Sequence, residues 1–299
     1  MKHIFIISSR LAALLVLFAV TMPAFAQEVT GPDQRPVRNM FESIWIIDNP
    51  TVLVPVKGTF EFDIQHRFGV VSNGYEDLFG LYAPANIRLG FGYVPFQNLM
   101  IGFGITKSNI TWDLNAKYAI LQQTRSGSMP VSLSYFVNTA IDTRDKDFFT
   151  NPDELVTSDR ISYFHQLLIA RKFTDRFSLQ VAGSLSHFNT VDAFKNPANE
   201  IVHRWNNDHF ALSVSGRYHL GSWVNVIVSY DQPLTNHEVV DPHPNIAFGV
   251  ELTSSSHQFQ IFAGNFYHIT PQRNNVFNNN KFGDGDILIG FNITRLWNF

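Results

Sequence analysis

Residues 286–299 read DILIGFNITRLWNF. Taken backwards, Phe299, Trp297, Ile293, Phe291, Ile289 and Ile287 fall on one face of an extended chain. Asn298, Leu296, Thr294, Asn292, Gly290 and Asp286 fall on the other, and Arg295 breaks the apolar face. Alternation with period two marks a strand whose faces meet different surroundings. A closing strand with an apolar stripe and an aromatic last residue is how bacterial outer-membrane barrels end, because one face meets lipid and the other a polar interior. Phe291, Ile293, Trp297 and Phe299 are therefore the expected membrane-insertion signature. Lipid and the barrel-assembly machinery, reached through this strand, are the expected partners. The stretch sets the expected fold and compartment and leaves the substrate open.

The other end agrees. Lys2 and Arg10 flank the start, Leu11–Val20 is apolar, and Ala24-Phe25-Ala26 is a small-x-small cleavage site. Residues 1–26 read as a secretory signal, with the mature chain starting at Gln27. Removing them takes away Lys2 and Arg10 and no acidic residue, so the net charge moves from −3 to −5. There is no basic stripe, which argues against nucleic acid as a partner. The chain has no Cys, which excludes disulfides, thiolate metal sites, thiol-linked haem and a lipidated N-terminus. No cofactor is expected. Past the signal no apolar run is long enough for a spanning helix.

Period-two segments recur at Lys57–Gly69, Ala85–Val94, Leu99–Thr106, Ile110–Leu121, Val131–Ala140 and Arg160–Arg171. They continue at Phe177–Phe188, Asp208–Leu220, Trp223–Tyr230, Ile246–Thr253, Gln258–Phe266 and Asp286–Phe299. Each is near the ~9–11 residues a tilted strand needs to cross the hydrocarbon layer. Their even number suits a closed antiparallel all-β barrel of about twelve strands with both termini periplasmic. The connections sort by length. Pro95–Asn98, Gln122–Pro130, Lys172–Arg176, Gly221–Ser222 and Ser254–His257 are short. Val70–Pro84, Ile141–Asp159, Asn189–Asn207, Asp231–Asn245 and Tyr267–Gly285 are long, and Lys107–Asn109 departs from that pattern. Short periplasmic turns and long outer loops are the outer-membrane arrangement. Residues 57–299 are the expected barrel and residues 27–56 a periplasmic N-terminal segment. That segment turns apolar at Met40, Phe41, Ile44, Trp45, Ile46 and Ile47. It reads as an extension packing on the barrel end, with a lumenal plug as the alternative.

Several segments resemble a family of Bacteroidota outer-membrane barrels known only as a domain of unknown function. They are FDIQHRFG (Phe62–Gly69), LYAPANIRLGFGY (Leu81–Tyr93), AKYAIL (Ala116–Leu121), QLLIARKF (Gln166–Phe173) and GDGDILIGFNITR (Gly283–Arg295). The resemblance covers most of the mature chain. It implies an outer-membrane β-barrel of a Gram-negative bacterium and carries over no catalytic or ligand residue.

If apolar faces meet lipid, then Glu61, Asp63, Arg67, Arg88, Asp113, Lys117, Arg217, Glu251 and Asp286 point into the lumen. Mixed signs favour a paired network filling the interior; unpaired, the charges would line a water channel. His209 and Ser213 share the polar face two positions apart, roughly 6–7 Å by strand rise, which is long for a catalytic pair. His165 shares a face with Ile161, Tyr163, Leu167 and Ile169. It then faces lipid, where an imidazole needs a partner, unless the phase of that strand is reversed. His66 beside Phe68 reads as a girdle residue. His237, Glu238, Asp241 and His243 share one outer loop at a spacing that matches no fixed metal pattern. The glycines of LGFGY read as small strand residues allowing curvature. The expected function is passive transport or binding of a small solute through the charged lumen. The alternatives are a non-conducting barrel that docks an outer-membrane partner protein and, more distantly, a lipid hydrolase; no catalytic residue is assigned.

Overall fold

The computed structural model describes residues 31–149, 152–198 and 200–298. The expected signal at 1–26 and Phe299 lie outside the described residues. Residues 31–34 belong to a separate N-terminal unit and carry no helix or strand; everything from Arg35 onward is one unit.

Two short strands come first, β1 (Trp45–Ile46) and β2 (Asn49–Pro50), paired as a tight hairpin. The wall begins with β3 (Thr59–Val70), β4 (Asn86–Phe96), β5 (Leu99–Thr106), β6 (Thr111–Leu121), β7 (Ser132–Asp142), β8 (Ile161–Lys172) and β9 (Phe177–Phe188). A loop hairpin, β10 (Ala193–Lys195) and β11 (Ile201–Arg204), follows. The wall resumes with β12 (Asp208–Gly221), β13 (Val224–Pro233), β14 (Asn245–Thr253), β15 (His257–Gly264) and β16 (Leu288–Asn298). One helix, α1 (Pro271–Val276), interrupts the last loop.

The twelve wall strands pair antiparallel, neighbour to neighbour, and β16 closes on β3 through pairs such as Phe291 with His66 and Trp297 with Phe60. Closure leaves no unpaired edge. Exposed side chains on the outside are apolar: Leu89 and Phe91 on β4, Leu212 and Val214 on β12, Phe259 and Ile261 on β15. Aromatic rings meet at the end where β3 starts and β16 finishes. Phe60 lies 5.8 Å from Trp297 and 6.4 Å from Phe91. A closed barrel with this apolar outer face satisfies its backbone internally and presents hydrocarbon to lipid, and so spans an outer membrane.

The expected strands agree with the observed ones apart from their ends. The difference that matters for the lumen is in the last strand. It starts at Leu288 because Gly285, in left-handed conformation (φ 86°), turns the chain just before it. Asp286 therefore sits in the outer loop, where its carboxylate accepts from the Lys281 N–H at 3.0 Å. It is not one of the lumenal charges.

Candidate functional site

Inside the barrel, alternation along each wall strand sends polar side chains inward. Glu61, Asp63, Arg67, Arg88, Asp113, Lys117, Arg217 and Glu251 are all buried there. The most densely paired is Arg88. Its guanidinium donates to Asp63 at 3.2 Å and to both Asp113 oxygens at 2.9 Å, and it lies 5.8 Å from the Trp45 ring. Arg217 pairs with Glu42 at 2.8 Å and donates to the Asn39 carbonyl. Glu251 accepts from Asn225 and Gln260. Arg67 donates to Asn292 at 2.9 Å and stands over the Phe262 ring at 4.6 Å.

Gly104 and Gly90 make the Arg88 cluster possible. An added Cβ at Gly104 would meet the Arg88 guanidinium, and one at Gly90 would meet Asp63 and Arg88. These glycines open room for a fixed ion network as well as easing curvature. Gly104→Val is therefore expected to displace Arg88 and lower the urea midpoint of the micelle-bound barrel, while Gly183→Val, where only Leu212 comes near, leaves it close to wild type.

The lumen is not open space. The segment expected as an extension on the barrel end runs inside the wall. Met40, Phe41, Ile44, Trp45, Ile46, Ile47 and Val52 form one buried cluster with wall residues that include Met100, Phe136, Phe164, Leu168 and Phe262. Trp45 meets Phe136 edge-on at 5.7 Å, and Phe136 meets Phe164 at 6.2 Å. Inward apolar positions on β5, β7, β8 and β15 are the counterpart of this segment. They complete a core that a water-filled lumen would not tolerate.

Wall side chains also hold the backbone of the hairpin. The Gln260 amide donates to the Trp45 carbonyl (2.7 Å) and accepts from the Ile47 N–H (3.0 Å). The Gln180 amide donates to the Pro50 carbonyl (2.8 Å) and accepts from the Val52 N–H (2.9 Å). Asn292 donates to the Ile47 carbonyl, Ser134 to the Val52 carbonyl and Lys117 to the Thr51 carbonyl. Ile47 opens the two-residue turn in left-handed conformation (φ 61°). A β-branched residue there is strained, by about 1–3 kcal/mol, and persists only where its surroundings over-determine it.

From the loop end, α1 folds inward. Gln272 donates to Asn138 at 3.0 Å, Asn275 to Ser184 at 3.3 Å, and Asn274 to Asp48 of the hairpin turn. Hairpin and helix meet at that last contact, so the lumen is closed from both ends. Beside Trp45, Glu61 and Lys117 the remaining void is about 10 Å³, too small for more than a single water. At the terminal end a larger cavity of about 320 Å³ opens between the segment (Val37, Met40, Leu53, Pro55) and the wall at Gln97 and Gln122.

The histidines resolve differently. His165 faces outward, and the phase of β8 is not reversed: Ser162, Phe164 and Gln166 are buried inside. Its partner is the Tyr135 hydroxyl at 2.9 Å, which answers the need for a polar contact on the lipid face. His66 stacks on Phe291 at 4.8 Å, also outside. His209 and Ser213 are both buried in the lumen but bond elsewhere. His209 shares a 3.0 Å hydrogen bond with His237, and Ser213 accepts from Gln166. Burial pushes the His237 ring below the ordinary imidazole range, in keeping with one N–H shared between two neutral rings. Glu238 accepts from the Arg204 N–H and Asp241 from the His237 N–H. Among the described residues no group of three or more His, Asp or Glu converges on a metal position.

Sequence reasoning missed the residues that hold the hairpin: Gln180, Gln260, Asn292 and Ser134. The available signal was the combination of amide side chains at inward strand positions with an apolar run in a segment lacking strand periodicity.

No curated protein matches the chain. Solved structures of similar shape include the NanC porin, at 10% identity with 80% of this chain and 99% of that chain covered and a TM-score of 0.48. An outer membrane channel from Pseudomonas putida F1 is similar at 11% identity, 82% and 97% coverage and a TM-score of 0.49. The KdgM porin is similar at 9% identity, 81% and 99% coverage and a TM-score of 0.42. The sequence profile of the family described as a membrane bound beta barrel domain (DUF5777) matches residues 41–297, and the chain belongs to that family.

Proposed function

We propose that the barrel passes small polar solutes passively and is held shut at rest by its own residues 40–54. The observation that carries this reading is the seated hairpin. It fills the lumen, yet it is a separate piece of chain attached through side-chain hydrogen bonds and one strained turn rather than a strand of the wall. Once it moves aside, the exposed lining would be the charged set around Arg67, Arg88 and Lys117, with mixed signs favouring polar over apolar solutes. We read passage as downhill. We read the chain as non-enzymatic: the His209 ring is engaged by His237 and not by Ser213, whose hydroxyl bonds to Gln166 and to the Asp231 carboxylate instead. The outward face of β16, with Phe291, Ile293 and Trp297, is the surface we assign to recognition by the assembly machinery.

The native chain lacks cysteine, so a lock can be built cleanly. Val52→Cys with Ser134→Cys puts one thiol on the hairpin segment and one on the wall at a place where the two touch, the Ser134 hydroxyl donating to the Val52 carbonyl at 2.9 Å. In a planar bilayer the reduced protein is expected to show discrete openings that disappear on oxidation and return on reduction. Openings that persist in the oxidised protein would place the path elsewhere.

A second reading keeps the lumen closed throughout and makes the barrel a docking protein. It is favoured by the same occlusion and by the cavity at the terminal end. Bilayers that stay silent under reduction, with the barrel folded by gel mobility, would support it.

A further inference from the structure

Beside the side-chain bonds of Asp48 and Asn49, a set of wall side chains holds the hairpin by its main chain. A carbonyl at one position and the N–H two positions on point to the same side of an extended chain. Gln260 bridges that pair at Trp45 and Ile47, and Gln180 bridges it at Pro50 and Val52. A primary amide offers one N–H and one C=O side by side, as a neighbouring peptide group would. Both glutamines are 2 % exposed, and Asn292, Ser134 and Lys117 hold further carbonyls of the same stretch. The amides are oriented in turn: Gln260 also donates to Glu251 at 2.9 Å, and Asn292 donates to Gln260 at 3.0 Å. The wall thus carries a built receptor for an extended backbone, with an aromatic pocket at Phe136 for a bulky side chain.

We propose that the lumen is a polypeptide-binding site that the chain's own hairpin occupies as an intramolecular ligand, and that an extended oligopeptide with a bulky apolar residue competes for it. Main-chain recognition tolerates varied side chains, so the ligand class is peptide rather than one fixed sequence. This rests on the reading of residues 40–54 as a removable plug, but its test reads binding and not conduction.

The test uses the full chain with a protease site inserted between Pro55 and Val56, where Val56 is 65% exposed. After cleavage, both pieces are unfolded together and refolded in detergent with a rising excess of a fluorescent synthetic peptide of residues 40–55. Folding is read by heat-modifiable gel mobility, and occupancy by fluorescence in the folded band. The labelled peptide should enter the folded band in proportion to its excess. In the double variant Gln180→Leu and Gln260→Leu both pieces lose the paired main-chain hydrogen bonds, so uptake is compared at label concentrations below saturation, in large excess over the cleaved piece, where the concentration giving half-occupancy should rise roughly tenfold or more. A folded band that takes up no label overturns the proposal, as does one whose uptake is unchanged by both substitutions. Failure here together with lockable conduction in the bilayer would leave a gated channel that has no peptide site.

Discussion

Deletion of residues 40–54 is expected to turn a barrel that opens only in brief discrete steps into one that passes ions continuously. The hairpin supplies Ile44, Trp45, Ile46 and Ile47, all buried in the lumen, and wall strands pair with one another around the full circle without it. Removing it leaves Gln180, Gln260 and Lys117 without their main-chain partners. Water replaces those partners, so the wall keeps its fold while the lumen fills. α1 still enters from the loop end through Gln272 and Asn275, so the current should be smaller than that of an empty barrel and should rise when α1 is removed as well. The readout is single-channel conductance beside a gel-mobility control. A folded deletion protein that still opens only in brief steps would show that the hairpin is not the gate.

Arg88→Met should be the most damaging single substitution in the lumen. The guanidinium stands between Asp63 and Asp113 with almost no solvent access. Taking it away leaves two buried carboxylates without their counter-charge, and breaking a buried pair in this way is destabilising by about 3–5 kcal/mol. The expected result is a large drop in the urea midpoint of the refolded barrel, followed by Trp fluorescence. Adding Asp63→Asn and Asp113→Asn should recover most of the loss, because neutral amides can bond to each other and to Asn138, which now donates to Asp113 at 2.8 Å. An Arg88→Met barrel that unfolds at the wild-type midpoint would mean the cluster is solvated and the lumen wet.

The wall was legible because its physics is local. Each strand faces lipid on one side, and the period-two pattern of a segment such as Phe60 to Phe68 records that directly. The strand count followed from the same pattern. So did the outward placement of Trp297, whose ring meets that of Phe60 at a 44° tilt at the closure. The occupant of the lumen was harder to see. Ile44–Ile47 carries no period that distinguishes a buried hairpin from a short strand packed on the barrel end. The inward residues that receive it, Phe136, Phe164 and Leu168, break the polar face of β7 and β8 and weaken the alternation there. Asp286 was misplaced because alternation extends smoothly across GDGD, while the turn at Gly285 ends the pairing. Pairings such as Arg88 with Asp63 and Asp113 join residues 25 positions apart in the chain and depend on strand register, which a single sequence does not state.

The most direct test of a lumen filled by residues 40–54 is its reach by a charged reagent. Ser229 lies deep in the wall, 3% exposed, and accepts from Asn49 of the hairpin at 2.9 Å. In the Ser229→Cys variant the thiol is the sole one in the protein, and a membrane-impermeant cationic methanethiosulfonate can be followed onto it by mass spectrometry. The intact barrel should label far more slowly than the same variant lacking residues 40–54. Equal, rapid labelling of both would contradict a closed lumen.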